Sequence, residues 1–256
     1  MDFFYGGLTA ETFWIAVLVT LFAGFVKGAI GFAMPLIMMA VFASIMPPQL
    51  ALAGLILSVL TTNLHQSLRD GWQAFCDSAW TYRRLIGATI LGIVISAPFV
   101  VYIPARLLLG LLGLPVALFA LYQLSGRPMK IALRHRNRAE YLLGLIAGLY
   151  GGLAGIWGPP VVIYLLSIAA DKKETVRVQG VIFLIGGAVL AMAHLGTGVL
   201  NAVTLPFSVA LVIPAFVGML AGFRLQDRLD PVKFRRWTLI LLALTALNLL
   251  RKSIFG

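Results

Sequence analysis

The sequence predicts an all-α polytopic membrane protein made of two inverted repeats, each a Gly/Pro-broken helical hairpin followed by three transmembrane helices. Three observations carry this expectation: an apolar composition, a duplicated Gly/Pro motif, and the distribution of cations over the loops. Of 256 residues, 61% are hydrophobic and 11% charged, with a mean hydropathy of +0.98. Soluble domains run at about 45–50% apolar and about 25% charged. Too few polar side chains remain to cover a water-facing surface, which argues against a soluble enzyme. No long polar segment remains for a single-span anchored domain. The net charge of +11 sits in short clusters between apolar runs, where membrane proteins keep their cations. It is therefore not read as a nucleic-acid footprint.

The apolar runs are approximately 12–46, 50–68, 85–103, 107–124, 141–170, 176–200, 205–223 and 237–250. About 20 helical residues cross a hydrocarbon core about 30 Å thick. Six runs fit one span each. The runs 12–46 and 141–170 are too long for one span, and both carry Gly and Pro near the middle. The N-terminal segment Met1–Gly7 has no basic n-region and no small-residue cleavage site, so the first apolar run is expected to be retained. The single cysteine, Cys76, permits no intrachain disulfide.

The two long runs are copies of one another. Gly24-Phe25-Val26-Lys27-Gly28-Ala29-Ile30-Gly31-Phe32-Ala33-Met34-Pro35 and Gly148-Leu149-Tyr150-Gly151-Gly152-Leu153-Ala154-Gly155-Ile156-Trp157-Gly158-Pro159 share Gly-x3-Gly-x2-Gly-x3-Pro at an offset of 124. One register would match by chance roughly once in twenty thousand. Gly92 before Pro104 resembles Gly218 before Pro231 at nearly the same offset. The expected organisation is a first repeat over 1–126, a basic cytoplasmic linker over 127–137 and a second repeat over 138–256. The glycines permit two readings, close helix packing through small-xxx-small contacts or an unwound backbone lining a cavity.

Cation counts choose between topologies. If each long run is one bent span, the two sides hold ten and nine Lys/Arg, which orients nothing. If each is a hairpin returning to its own side, the loops 69–84, 127–138, 172–177 and 224–236 share a side and hold sixteen, against Arg106, Arg251 and Lys252 opposite. That is a strong positive-inside signal. It places both termini outside and makes the second repeat enter from the other face, as in many secondary transporters with discontinuous helices.

Lys27 is the one basic residue deep in an apolar run. It is a substrate-site candidate or a lysine that snorkels or meets a backbone carbonyl. Helix N-termini near Pro35 and Pro159 would add positive dipole ends suited to an anion. The substrate-binding set expected around them is Lys27, Gly28, Gly31, Pro35, Asn63, His65, Gly152, Gly155, Trp157, Gly158 and Pro159. Asn63 and His65 also fit interhelical hydrogen bonding, and Trp157 also fits packing. His194 is a coupling-proton candidate or a satisfied core histidine. All nine carboxylates lie at or beyond the ends of the apolar runs, which disfavours a cation site and suits an anion. No P-loop or metal-ligand spacing occurs, so no cofactor and no metal is expected, and no catalytic constellation is visible. Trp72 and Trp80, among Arg69, Arg83 and Arg84, read as an interfacial cytoplasmic helix.

The duplicated motif at Gly24–Pro35 and Gly148–Pro160 resembles the sulfite exporter TauE/SafE family of bacterial membrane permeases, over nearly the whole chain. The resemblance implies transport of sulfite or organosulfonates across the inner membrane, usually outward. Members often carry a Gly-rich stretch where this chain has Gly31-Phe32-Ala33-Met34. The expected partners are a small anionic substrate and the lipid bilayer, with no nucleic acid and a homodimer left open. Other readings are a permease for another carboxylate, oxyanion or metal cation, and a non-transporting scaffold.

Overall fold

The computed structural model describes residues 4–126, 136–225 and 230–255. Among the described residues the secondary structure is helical, with no strand. In chain order the first half holds α1 (Ala10–Ile30), α2 (Met34–Ile45), α3 (Pro48–Leu68), α4 (Trp72–Thr81), α5 (Arg83–Ser96, continued as a 3-10 turn Ala97–Val101) and α6 (Ala105–Leu124). The second half holds α7 (Arg136–Ala154), α8 (Gly158–Ser167), α9 (Lys172–Gly196), α10 (Thr204–Ala210), α11 (Val212–Leu225) and α12 (Pro231–Phe255). Among the described residues six helical segments are long and apolar enough to cross a membrane: α1, α5 with its 3-10 turn, α6, most of α9, α10 with α11, and most of α12. Most of the predicted linker, 127–135, lies outside the described residues.

Local chemistry sets the boundaries. Thr9 caps α1 by accepting from the Thr12 amide, and Asp171 caps α9 by accepting from the Glu174 amide, each satisfying a first-turn donor. Both long runs break where the sequence expects. Gly31 and Gly155 end α1 and α7 with φ of 87° and 67°, the left-handed region that favours glycine. Their amides bond back to Lys27 O and Gly151 O, residues again 124 apart. Each new helix then carries proline in its first turn, Pro35 in α2 and Pro159-Pro160 in α8, where the missing N–H costs nothing. With 12 and 10 residues, α2 and α8 rise only about 18 and 15 Å, half a bilayer core.

The main interfaces join the halves. α1 runs parallel to α11: Gly24 lies against Ala215 O, Gly28 against Met219 O, and Gly218 against Leu21 O. α5 and α7 repeat this parallel contact, with Gly148 against Thr89 O, Gly152 near Ile93 O, and Gly92 near Leu145 O. α6 and α12 cross antiparallel, from Gly110 against Ser253 to Gly113 near Ala246 O. α3 and α9 are also antiparallel, from Gly180 beside Ser67 to Gly187 beside Leu60. At the 124-residue offset these last contacts map α3 and α9 on to each other about a point between Thr61 and Thr62, opposite Ile185 and Gly186. That point is the centre of the α3–α9 crossing.

The loops sort by end. One end of the bundle brings α2's Ser44 to Asn248 and Lys252 of α12, and Arg106 O to Ser253. The opposite end gathers Asp70, α4, Tyr82 and Arg84 against α7 and the start of α9. There Asp70 meets Lys173 at 3.3 Å and Arg177 at 3.1 Å, Tyr82 donates to Glu174 at 2.8 Å, and Arg84 donates to Asn137. α4 leaves Trp72 and Trp80 68% and 72% exposed, with the Arg83 guanidinium over the Trp80 ring. This suits an interface position.

Candidate functional site

Lys27 sits one turn before the α1 break and is 2% exposed. Its Nζ donates to Thr62 Oγ1 at 3.0 Å and to Asn63 Oδ1 at 2.5 Å. Both acceptors are neutral and fully buried. Both lie within two residues of the centre of the α3–α9 crossing, so the amine lies at mid-height of that contact. Thr62 is itself fixed by donating to Ser58 O at 2.6 Å.

The same position in the second half is built from different residues. An offset of 124 carries Lys27 to Gly151, Thr62 to Gly186 and Asn63 to Gly187. The space thereby vacated holds the indole of Trp157: a Cβ on Gly151 would strike Trp157 Nε1, and one on Gly186 would come within 3.3 Å of it. Trp157 in turn corresponds to Ala33. A long side chain with a donor tip therefore reaches the centre from each half, Lys27 from before its break and Trp157 from after it. Trp157 is fully buried and stacks on Phe183 with ring centroids 5.9 Å apart. Trp157 Nε1, Asn63 Nδ2 and Ser58 Oγ are buried with no hydrogen-bond partner among the described residues. Buried donors left in this condition are rare in proteins.

The expected site residues divide into groups. Lys27, Asn63 and Trp157 come to the centre. Gly28 instead presses against the main chain of α11, and Gly152 against the Ser96 hydroxyl and the main chain of α5 and its 3-10 turn; they let helices meet, and no side-chain volume is free beside them. Gly31 and Gly155 shape the breaks. Gly31 fits under Val176 and Gly155 under Leu52 and Leu55, so the two breaks lie on opposite sides of the centre. Pro35, Gly158 and Pro159 start the half-helices there and are buried. His65 is exposed and faces away, its ring against Phe216 and Phe223 of α11. His194 is buried with its ring bonded to Thr197 Oγ1 and Gly152 O, nearer the end of α9 than the centre.

Thr62 and Ser58 complete the centre, and neither was singled out from sequence as a site residue. The signal that finds them is the repeat itself, because aligning α3 on α9 sets Thr62 and Asn63 against two glycines. Gln66 lies one turn on, its Nε2 donating to Gly31 O at 3.2 Å and Val176 O at 2.7 Å. It ties the first break to α9.

Among known families, the one described as Sulfite exporter TauE/SafE matches residues 16–249. No curated protein and no solved structure matches the chain. The family is one of membrane transporters, in keeping with the apolar helices, and the match runs through both halves and both motifs. The chain belongs to the sulfite exporter TauE/SafE family.

Proposed function

We propose that the chain is a secondary permease that exports a small anion, sulfite or an organosulfonate, from the cytoplasm across the bacterial inner membrane by alternating access. The halves are inverted repeats about an axis in the membrane plane, with the basic loops cytoplasmic and both termini periplasmic. The antiparallel crossing of α3 and α9 supports the inversion, and the crowding of Asp70, Arg84 and the start of α9 at one end supports the sidedness. The observation that carries the substrate class is Lys27. It is a buried basic group among neutral partners, with unpartnered donors of Asn63 and Trp157 near the same centre. Such a group is completed by an anion and repelled by a cation. The membrane potential assists export by about 2.3 kcal/mol per charge per 100 mV.

Sulfite efflux from proteoliposomes at a set potential tests this reading. Wild-type protein is expected to carry sulfite, and Lys27→Ala to lose at least about tenfold in flux, the equivalent of one 1.4 kcal/mol contact. Equal flux in the variant removes Lys27 from the site. No flux of sulfite or any sulfonate removes the substrate class.

A further inference from the structure

The hydrogen-bond count at Lys27 carries an inference that rests on the anion-permease reading and deepens it. A neutral lysine amine has two N–H groups and a lone pair; the ammonium has three N–H groups and no lone pair. Lys27 Nζ finds two acceptors, Thr62 Oγ1 and Asn63 Oδ1. Thr62 uses its own proton on Ser58 O, so its lone pair is what faces the amine. The remaining atom of the Asn63 amide, Nδ2, is a donor. The nearby acceptor Gln66 Oε1 has no bond from Lys27, because Gln66 is held towards Gly31 O and Val176 O. These two acceptors match the two N–H groups of the amine and leave the ammonium one acceptor short.

Charges on the packed elements do not make up the deficit. α2 contains no ionisable residue. On α3, His65 turns to Phe216 and Phe223, and the Arg69 guanidinium lies over Phe223. Arg224 of α11 is exposed in its last turn. On α12, Lys252 bonds Ser44 O and Arg251 bonds Asn248, both at the far end. Lys173, Glu174 and Arg177 of α9 are engaged with Asp70, Tyr82 and Ser78. Among the described residues, no carboxylate bonds Lys27 or either of its partners.

We propose that Lys27 is uncharged in the empty site and takes a proton from solution when an anion binds, so that anion and proton occupy the centre together. The anion supplies the missing acceptor and the missing negative charge. The proton arrives as hydronium or from a buffer acid, whose bond to it breaks to leave water or the buffer base in solution, and it forms a third N–H bond on the Nζ lone pair. A dianion then crosses with one proton as a net single charge. Because the anion raises the proton affinity of Lys27, binding must weaken as pH rises, by up to about tenfold per pH unit.

Methanesulfonate is a suitable probe, since as a strong-acid anion it accepts no proton itself. Binding to the purified full-length protein is measured by calorimetry in buffers of different ionisation enthalpy, with sulfite alongside. Towards alkaline pH the wild type is expected to take up about one proton per methanesulfonate bound. Lys27→Arg, always charged, is expected to take up none and to bind with a flat pH profile. Asn63→Asp supplies a resident counter-charge and is expected to lose proton uptake together with most of the affinity. Methanesulfonate binding without proton exchange at any pH overturns the proposal. So does undiminished uptake in either variant. Failure of the wild type to bind either probe overturns the anion reading itself, an outcome distinct from binding without uptake.

Discussion

Replacing Gly28 by alanine puts a methyl group where the α1–α11 contact has no room. The new Cβ would collide with Met219 O and stand 2.9 Å from Phe223 N and 3.0 Å from Gly222 Cα. All three atoms are main chain of α11, so no side chain can rotate away. The helices must separate by roughly 1 Å, and a gap of that size forfeits about a quarter to a half of each lost contact's attraction. The expected loss is about 1–3 kcal/mol, about 5- to 150-fold in the folded-to-unfolded ratio. Gly87 is the internal control: it is exposed on α5 with nothing within 4 Å of its Cβ position, and alanine there should gain about 0.5–1 kcal/mol. The assay is the thermal unfolding midpoint of purified protein in one detergent, with Gly28→Ala expected below wild type and Gly87→Ala at or above it. The duplication adds a gradation. Gly148→Ala meets Thr89 O and should behave like Gly28→Ala, whereas Gly152→Ala first meets the rotatable Ser96 hydroxyl and should lose less. A Gly28→Ala midpoint equal to that of Gly87→Ala would refute the close-contact reasoning.

Other outcomes follow from single contacts. Cys76 is exposed on α4, so a membrane-impermeant maleimide should label it in inside-out vesicles and not in intact spheroplasts; labelling from outside reverses the proposed orientation. Ala33 holds φ 79°, so Ala33→Gly should raise the unfolding midpoint by the equivalent of about 1 kcal/mol. Burial, reinforced by the hydrogen bond to Glu174, raises the Tyr82 hydroxyl well above its ordinary pKa. It therefore stays a donor, and Tyr82→Phe should cost about 1 kcal/mol at neutral pH. Partial burial of Asp70 alone would raise its pKa, but the bonds from Lys173 and Arg177 outweigh it and hold the carboxyl below the ordinary range. Its contribution is thus present at neutral pH and lost as pH falls through that lowered value. Asp70→Asn should lower the midpoint by no more than the equivalent of about 1 kcal/mol at neutral pH, with the difference vanishing in acid.

The features legible in the sequence were those with a one-dimensional signature. The breaks at Gly31 and Gly155 follow from glycine ahead of proline inside runs too long for one span. The depth of Lys27 follows from the apolar residues on both sides of it. The role of Gly28 and Gly152 was not legible, because a glycine reports that something comes close without saying what; a helix of the other half and a ligand leave the same mark. Trp157 was legible as a candidate and not as a counterpart of Lys27. Its indole fills a space left by Gly151 and Gly186, which lie 35 residues apart and meet only in the packed bundle. His65 looked equivalent to Asn63 in a polar cluster, yet two further residues turn a helix side chain about 200° and leave it outside.

The unequal pair of Lys27 and Trp157 also bears on energetics. On the inverted reading, two identical halves would make the inward-open and outward-open forms equal in energy, because the twofold operation converts one into the other. Such a carrier would be as easily filled from either face, and only gradients would give it a direction. Lysine with alanine in one half, set against glycine with tryptophan in the other, breaks that equivalence at the centre itself. On that same reading the two open forms would differ in resting population before any substrate arrives, giving the proposed carrier a built-in preferred face.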